Sequence, residues 1–226
     1  MFSIFRYLAQ GDYINAIIVI LSRAFVVFCC LPLHELAHGL VADKLGDHTA
    51  RLQGRLTLNP LAHLNPIGTV MIFLFGIGYA KPVSINANNF KKPKRDMALT
   101  ALAGPCANVL LAFVFDFIAY TAQAVMPLNN LTHAVIWFFY FAAQINAVLA
   151  VFNLLPIPPL DGSKVLAAVL PYKTYVKYMQ YERYIMIGLL ILLFTGVLNG
   201  VISFLADALM TLLSIIPRLI FGVHIS

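Results

Sequence analysis

Charge is what this sequence has least of. Only 11% of its 226 residues are Asp, Glu, Lys or Arg, against 61% hydrophobic residues, and its mean hydropathy is +0.86. So few charges cannot cover a water-facing domain, whereas a surface solvated by lipid needs almost none. Cysteine is scarce as well: Cys29, Cys30 and Cys106 all sit inside apolar stretches, which argues against a disulfide framework and for small buried hydrophobes. No cleavable secretory leader is legible, because Arg6 is the only basic residue ahead of the first apolar run and no small-residue cleavage site follows. The formal net charge of +6 does not point to nucleic acid, because the basic residues fall in loops flanking apolar runs, as membrane topology produces.

Long apolar runs are abundant. About 20 residues of helix cross a bilayer, and three segments meet that length: 14–42, interrupted by Arg23, then 97–126, closed by Pro127, and 131–155. A fourth apolar stretch, 184–216, carries Gly196, Asn199 and Gly200 at its middle and reads as one long tilted helix or two shorter pieces. Between the first two spans the polar segment 43–66 is rich in turn residues, and alternation across 50–53 and 54–58 predicts short strands. The apolar run 67–80 is too short to span and predicts a re-entrant or membrane-edge element. The expected fold is therefore an all-α polytopic membrane protein of about four to six transmembrane helices, with a re-entrant or β-hairpin edge element between the first two spans. One membrane-embedded domain is expected over 1–226.

Lys and Arg assign the sides. The segment 43–96 carries eight, 127–133 none, and 161–183 four. Two spans separate the first and third of these loops, so they share a side, and both are basic; cytoplasmic placement is expected for both.

Against this background, His34-Glu35-Leu36-Ala37-His38 stands at the inner end of the first span. Histidines four apart on a helix project from one face, so two imidazoles can bind one Zn²⁺ as neighbouring tetrahedral ligands. Glu35 can reach a water at the open position and act as general base. The plainer alternative is a chance match in a helix rich in Leu and Ala. Ionisable groups at the end of an apolar helix are costly, however, and Glu35 is one of only two glutamates. A zinc site needs a third ligand, and Asp161 is the candidate: it follows the inner end of the third span, at the membrane depth of the histidines. Pro156, Pro158 and Pro159 break the helix there, and such backbone is tolerated at membrane depth only against protein or a water-filled cavity. The alternative for Asp161-Gly162 is a turn capping the next helix.

The motif at 34–38, together with Asn153-Leu154-Leu155-Pro156-Ile157-Pro158-Pro159-Leu160-Asp161-Gly162, strongly resembles the site-2 protease family of intramembrane zinc metalloproteases. Further stretches are similar to its compact prokaryotic members: 54–60, Asn65-Pro66-Ile67-Gly68-Thr69, Ala80-Lys81-Pro82-Val83 and Ala103-Gly104-Pro105-Cys106-Ala107-Asn108. The resemblance covers about residues 14–200. It implies one Zn²⁺ per chain held by His34, His38 and Asp161, with Glu35 as catalytic base. It places Asn153 near the site, where an amide can hold substrate backbone or an oxyanion, and Asn108 as a second candidate of that kind. His63, in the loop before the re-entrant element, is a candidate for contact with the site, against the alternative of a structural or solvated loop histidine.

The implied activity is hydrolysis of peptide bonds in or near a transmembrane segment of another membrane protein, in a prokaryotic plasma membrane, with the active site near the cytoplasmic side. No room is seen for an inserted peptide-binding PDZ domain or a following CBS domain, so regulation by such modules is not expected. Two rival readings fit the sequence less well. A catalytically silent membrane adaptor is expected to lack the glutamate or a ligand, and all four groups are present. A metal transporter is expected to string ionisable groups along a path and to show internal repeats, and neither is seen.

Overall fold

The computed structural model describes residues 4–63, 65–67, 70, 81–127 and 129–225. Within these the chain is helical throughout, with no strand. After a short α1 (Ile4–Ala9), α2 (Tyr13–Phe25) starts at Asp12, whose carboxylate accepts the Asn15 N–H. It runs without interruption through a π-helical turn, Val26–Cys30, into α3 (Leu31–Lys44). Pro32 explains the widened turn: it offers no N–H to the preceding turn and its ring crowds the carbonyl four residues back. Together these pieces form a 32-residue span.

Two single-turn helices follow, α4 (Thr49–Leu52) and α5 (Pro60–His63), then α6 (Pro93–Val125) and α7 (Asn130–Leu154), both long and apolar enough to cross a membrane. Asp96 reaches back to the Lys92 N–H at the start of α6, and Asn129 caps α7 through the Thr132 N–H. The short α8 (Asp161–Val169) and α9 (Tyr172–Gln180) lead to α10 (Glu182–Phe194), α11 (Val197–Leu213) and α12 (Ile215–Phe221). The stretch 184–216 is thus two helices, broken at Gly196, which has a φ of +75° that glycine adopts without strain. Among the described residues three helices can span, or four if α10 and α11 form one broken span, at the lower edge of the expected number.

The core lies where α2–α3, α6, α7 and α11 meet: Val26, Val27, Cys30 and Leu31 pack on Ala112, Phe115, Ala142, Ala143, Ala147, Leu149 and Met210. The alanines let the helix backbones approach closely, the device that holds helices together where lipid competes equally for apolar side chains. Large apolar residues on the outer faces, such as Leu110, Leu131, Ile191 and Phe204, stay exposed, as lipid contact requires.

One local prediction is overturned. Residues 50–53 do not form a strand: Thr49–Leu52 is a helical turn, and 54–58 is neither helix nor strand. Asp47 is the reason. It accepts the Thr49 N–H (3.1 Å) and hydroxyl and so starts the turn, Arg51 reaches back to pair with Asp43, and Gly54 at φ +64° ends it. Short-range capping outweighs a four-residue alternation. The predicted re-entrant run 67–80 lies largely outside the described residues.

Asp47 also binds the far end of the loop, accepting the Asn86 N–H at 2.7 Å and the Asn89 amide at 2.8 Å. Burial alone would raise its carboxyl, but the hydrogen bonds from Thr49, Asn86 and Asn89 outweigh that and hold it below the usual carboxylate range. Asp47→Ala should therefore cost about 1–3 kcal/mol, read as a lower thermal midpoint in detergent and faster proteolysis around residues 84–92. Because the folded pKa is lowered, this stabilisation is complete above about pH 4 and drains away as pH falls through the folded value. Asp47→Asn should flatten that acid-side loss; an unchanged acid limb would refute the assignment.

Candidate metal centre

His34 and His38 sit one turn apart on α3, and α6 packs directly across them. The register is antiparallel: the His38 Nδ1–H donates to the Thr100 carbonyl at 2.7 Å, and Gly104, one turn further along α6, lies against both rings. A Cβ at position 104 would stand 2.3 Å from His38 Nε2 and 2.6 Å from His34 Nε2, so only glycine permits this approach. Pro105 removes a helical N–H immediately beyond it.

Asp161 arrives as the first residue of α8, a helix that also packs against α6. Gly162 makes this possible, because a Cβ there would lie 2.2 Å from the Leu154 carbonyl oxygen and 2.4 Å from that of Leu155. The start of α8 thus presses onto the end of α7 and turns Asp161 toward α3. Its Oδ2 lies 3.1 Å from His38 Nε2 and 3.4 Å from His34 Nε2, while the two Nε2 atoms are 3.0 Å apart. All three side chains are buried.

The chemistry of this trio is that of a metal site. The Thr100 carbonyl can only accept, so His38 Nδ1 carries a proton and Nε2 of the neutral ring is a lone pair. That lone pair faces a carboxylate oxygen at 3.1 Å, a contact that is repulsive without a proton or a cation between them. Ligands bound about 2.0–2.1 Å from a tetrahedral ion stand about 3.3 Å apart, and the observed 3.0–3.4 Å agrees. Among the described residues this is the group of His, Cys, Asp and Glu side chains able to hold a metal ion. The other carboxylate oxygen of Asp161 accepts from Lys164 Nζ at 3.3 Å.

Glu35 is buried beside the trio, and its Oε2 accepts the Val83 N–H at 2.9 Å. The remaining candidates are placed less directly. Asn153 is half-buried at the end of α7, its amide donating to its own helix at the Leu149 carbonyl, 3.0 Å away. Asn108 is fully buried on α6, one turn beyond Gly104. His63 is also buried, its Nε2 2.9 Å from the Thr57 carbonyl and its own carbonyl accepting the Lys81 N–H, so it pins the loop.

Sequence reasoning missed Thr100, Gly104, Val83, Gly162 and Lys164. Lys164 was findable, three residues from Asp161 on a helix. Thr100 and Val83 act through backbone groups, which leave no signature in residue type.

These features define a multi-pass membrane protein with a buried three-ligand group and an adjacent glutamate. Residues 124–195 match the family described as Peptidase family M50. A Bacillus subtilis (strain 168) protein named "Putative zinc metalloprotease YwhC" is 43% identical over 72% of this chain and 75% of its own length. Two relatives with the same form of name are Rip2 of Mycobacterium tuberculosis, 30% identical over 83% of this chain and 71% of its own, and MJ0611 of Methanocaldococcus jannaschii, 31% identical over 79% and 99%. No solved structure matches the chain. The chain belongs to peptidase family M50, the site-2 protease family, as the sequence motifs implied.

Gly104→Ala tests the close approach. The added methyl group must displace one or both imidazoles, and the metal content of purified protein should fall below about a tenth of wild type, given the 10–100-fold losses that follow small disturbances of ligand orientation. Metal analysis beside a circular dichroism spectrum checks this; full metal content in a folded variant would contradict it.

Proposed function

We propose that this chain is an intramembrane zinc metalloprotease that hydrolyses peptide bonds in or near transmembrane segments of other membrane proteins. The observation that carries the proposal is the convergence of His34, His38 and Asp161 within 4.8 Å beside Glu35. Family membership and the zinc metalloprotease names of the relatives support it.

In this reading His34 and His38 supply imidazole nitrogens and Asp161 a carboxylate oxygen to one zinc ion. Zinc, when bound, polarises the scissile carbonyl and acidifies water at the site. Glu35 accepts the proton of the attacking water and delivers it to the departing amine. Val83 fixes one Glu35 oxygen, which leaves the other free for that transfer. Lys164 orients the Asp161 carboxylate and Thr100 sets the His38 tautomer. Asn153, half-exposed beside the Pro156–Asp161 turn, is assigned to substrate backbone or the oxyanion, reached by releasing its bond to Leu149. His63 and Asn108 are assigned to the shell that supports the site.

A substrate helix must unwind before its amides can be attacked. Residues 81–86, irregular backbone that passes Glu35, are inferred to receive the unwound segment in extended form. Cleavage undisturbed by proline at Ser84 and at Ile85 would remove this part. The basic loops 43–96 and 161–183 favour a cytoplasmic position for the site, in a prokaryotic plasma membrane.

Glu35→Gln is the deciding experiment. Glutamine still accepts the Val83 N–H, so zinc content should be unchanged, while cleavage of a panel of single-span proteins should fall by about 10²–10⁴. Equal cleavage by both forms would sink the mechanism.

A further inference from the structure

Two of the three proposed metal ligands have an outer partner, and the third has none among the described residues. His38 is held by the Thr100 carbonyl, and Asp161 by Lys164. His34 Nδ1 is buried and has no hydrogen-bond partner among the described residues. If His34 Nε2 is a metal ligand, Nδ1 must carry a proton, and a buried N–H without an acceptor costs about 1–3 kcal/mol. Ligating histidines ordinarily give this proton to a carbonyl, a carboxylate or a water.

The same region holds a second orphan. Asn108 is fully buried, yet neither its amide nitrogen nor its carbonyl oxygen has a partner among the described residues. Position and register link the two. His38 lies on Thr100 and both histidines lie on Gly104, so each turn toward lower numbers on α3 corresponds to one toward higher numbers on α6. Asn108 follows Gly104 by one turn and therefore stands level with the stretch between His34 and Cys30. Asn146 of α7, next to Ala147 in the cluster that holds Cys30, donates to its own helix at the Ala142 carbonyl, and its carbonyl oxygen is also buried without a partner among the described residues. Around these groups the packing is apolar: Leu31, Ala112 and Ala147. An asparagine with four hydrogen-bonding positions does not persist in such a setting unless it is used.

Resting on the zinc-site reading above, we propose that Asn108 is the positioning residue of His34, its carboxamide oxygen taking the Nδ1 proton through one buried water. Within the bridge each proton of the water and of His34 Nδ1 meets an acceptor. The water accepts from His34 Nδ1 and donates to Asn108 Oδ1, and its second proton is available to Asn146 Oδ1. The arrangement fixes the His34 tautomer with Nε2 free for the metal, as Thr100 does for His38. Asn108 acts through His34 and never touches substrate.

The test compares purified wild type with Asn108→Leu, close in volume but without polar atoms, and Asn108→Ser, which keeps a hydroxyl and leaves room for a second water. Zinc retention against a competing chelator is the first readout, and the visible absorption of Co²⁺-loaded protein the second. Asn108→Leu should lose zinc at 10–100-fold lower chelator concentration and show a weakened, shifted Co²⁺ spectrum, with Asn108→Ser recovering most of both. Retention and spectra equal to wild type in a folded Asn108→Leu protein would overturn the proposal. Should Asn108→Leu fail to fold, an experimental structure of the wild-type protein decides: solvent joining His34 Nδ1 to Asn108 supports it, and Nδ1 bonded to any other group refutes it. A wild-type chain that binds no zinc would instead refute the metal reading itself, so the two failures are distinguishable.

Discussion

Two imidazole nitrogens and a carboxylate oxygen converge in the interior of a membrane protein, and the architecture around them is arranged to make that tolerable. In a low-dielectric interior such a meeting is costly unless a cation sits among the ligands, and it must be enforced by packing stiff enough to resist the repulsion. Two glycines supply the stiffness. Gly104 brings α6 against both imidazoles, and Gly162 drives α8 against the terminal carbonyls of α7, so neither α3 nor Asp161 has room to retreat. The alanine-lined contacts among α3, α6 and α7 extend the same logic deeper into the bundle. Close backbone approach here is a requirement of the site as well as a source of packing energy.

Much of this was legible in the sequence because membrane solvation leaves strong marks. An apolar helix must be long, continuous and free of charge, so the three spans could be bounded to within a few residues, and any ionisable group at their ends stood out. The His-Glu-x-x-His spacing and Asp161 were readable because topology alone puts both at one depth. The polar segment between the spans was read less well. Water competes there for every backbone group, and the outcome at Thr49–Leu52 turned on one capping side chain, Asp47, rather than on hydrophobic periodicity. Gly104 and Gly162 lay inside recognised motifs, yet their purpose concerns the space a side chain would occupy and emerges only in three dimensions.

The buried polar groups away from the metal ligands follow the same economy. Asp116, fully buried in α6, accepts from the Ser214 hydroxyl at 2.8 Å, and Arg218 donates to Tyr120 at 2.9 Å one turn along. The α11–α12 junction is thereby fastened to the C-terminal half of α6, away from the histidines. This polar cluster ties helices together where apolar packing gains nothing over lipid.

The three candidate ligands and Glu35 are held by different means, and this separates two properties of the site. His34, His38 and Asp161 depend on helix-to-helix contacts, which hold whatever the loops do. Glu35 belongs to the same helix, but its carboxylate is oriented by Val83, within a segment fastened at its two ends by loop residues: His63 accepts the Lys81 N–H and Asp47 accepts the Asn86 N–H. Disturbing the loop therefore reaches Glu35 without moving His34, His38 and Asp161. Under the proposed function a chain built this way keeps its metal while Glu35 is misaligned, and the segment that aligns Glu35 is the one proposed to receive an extended substrate.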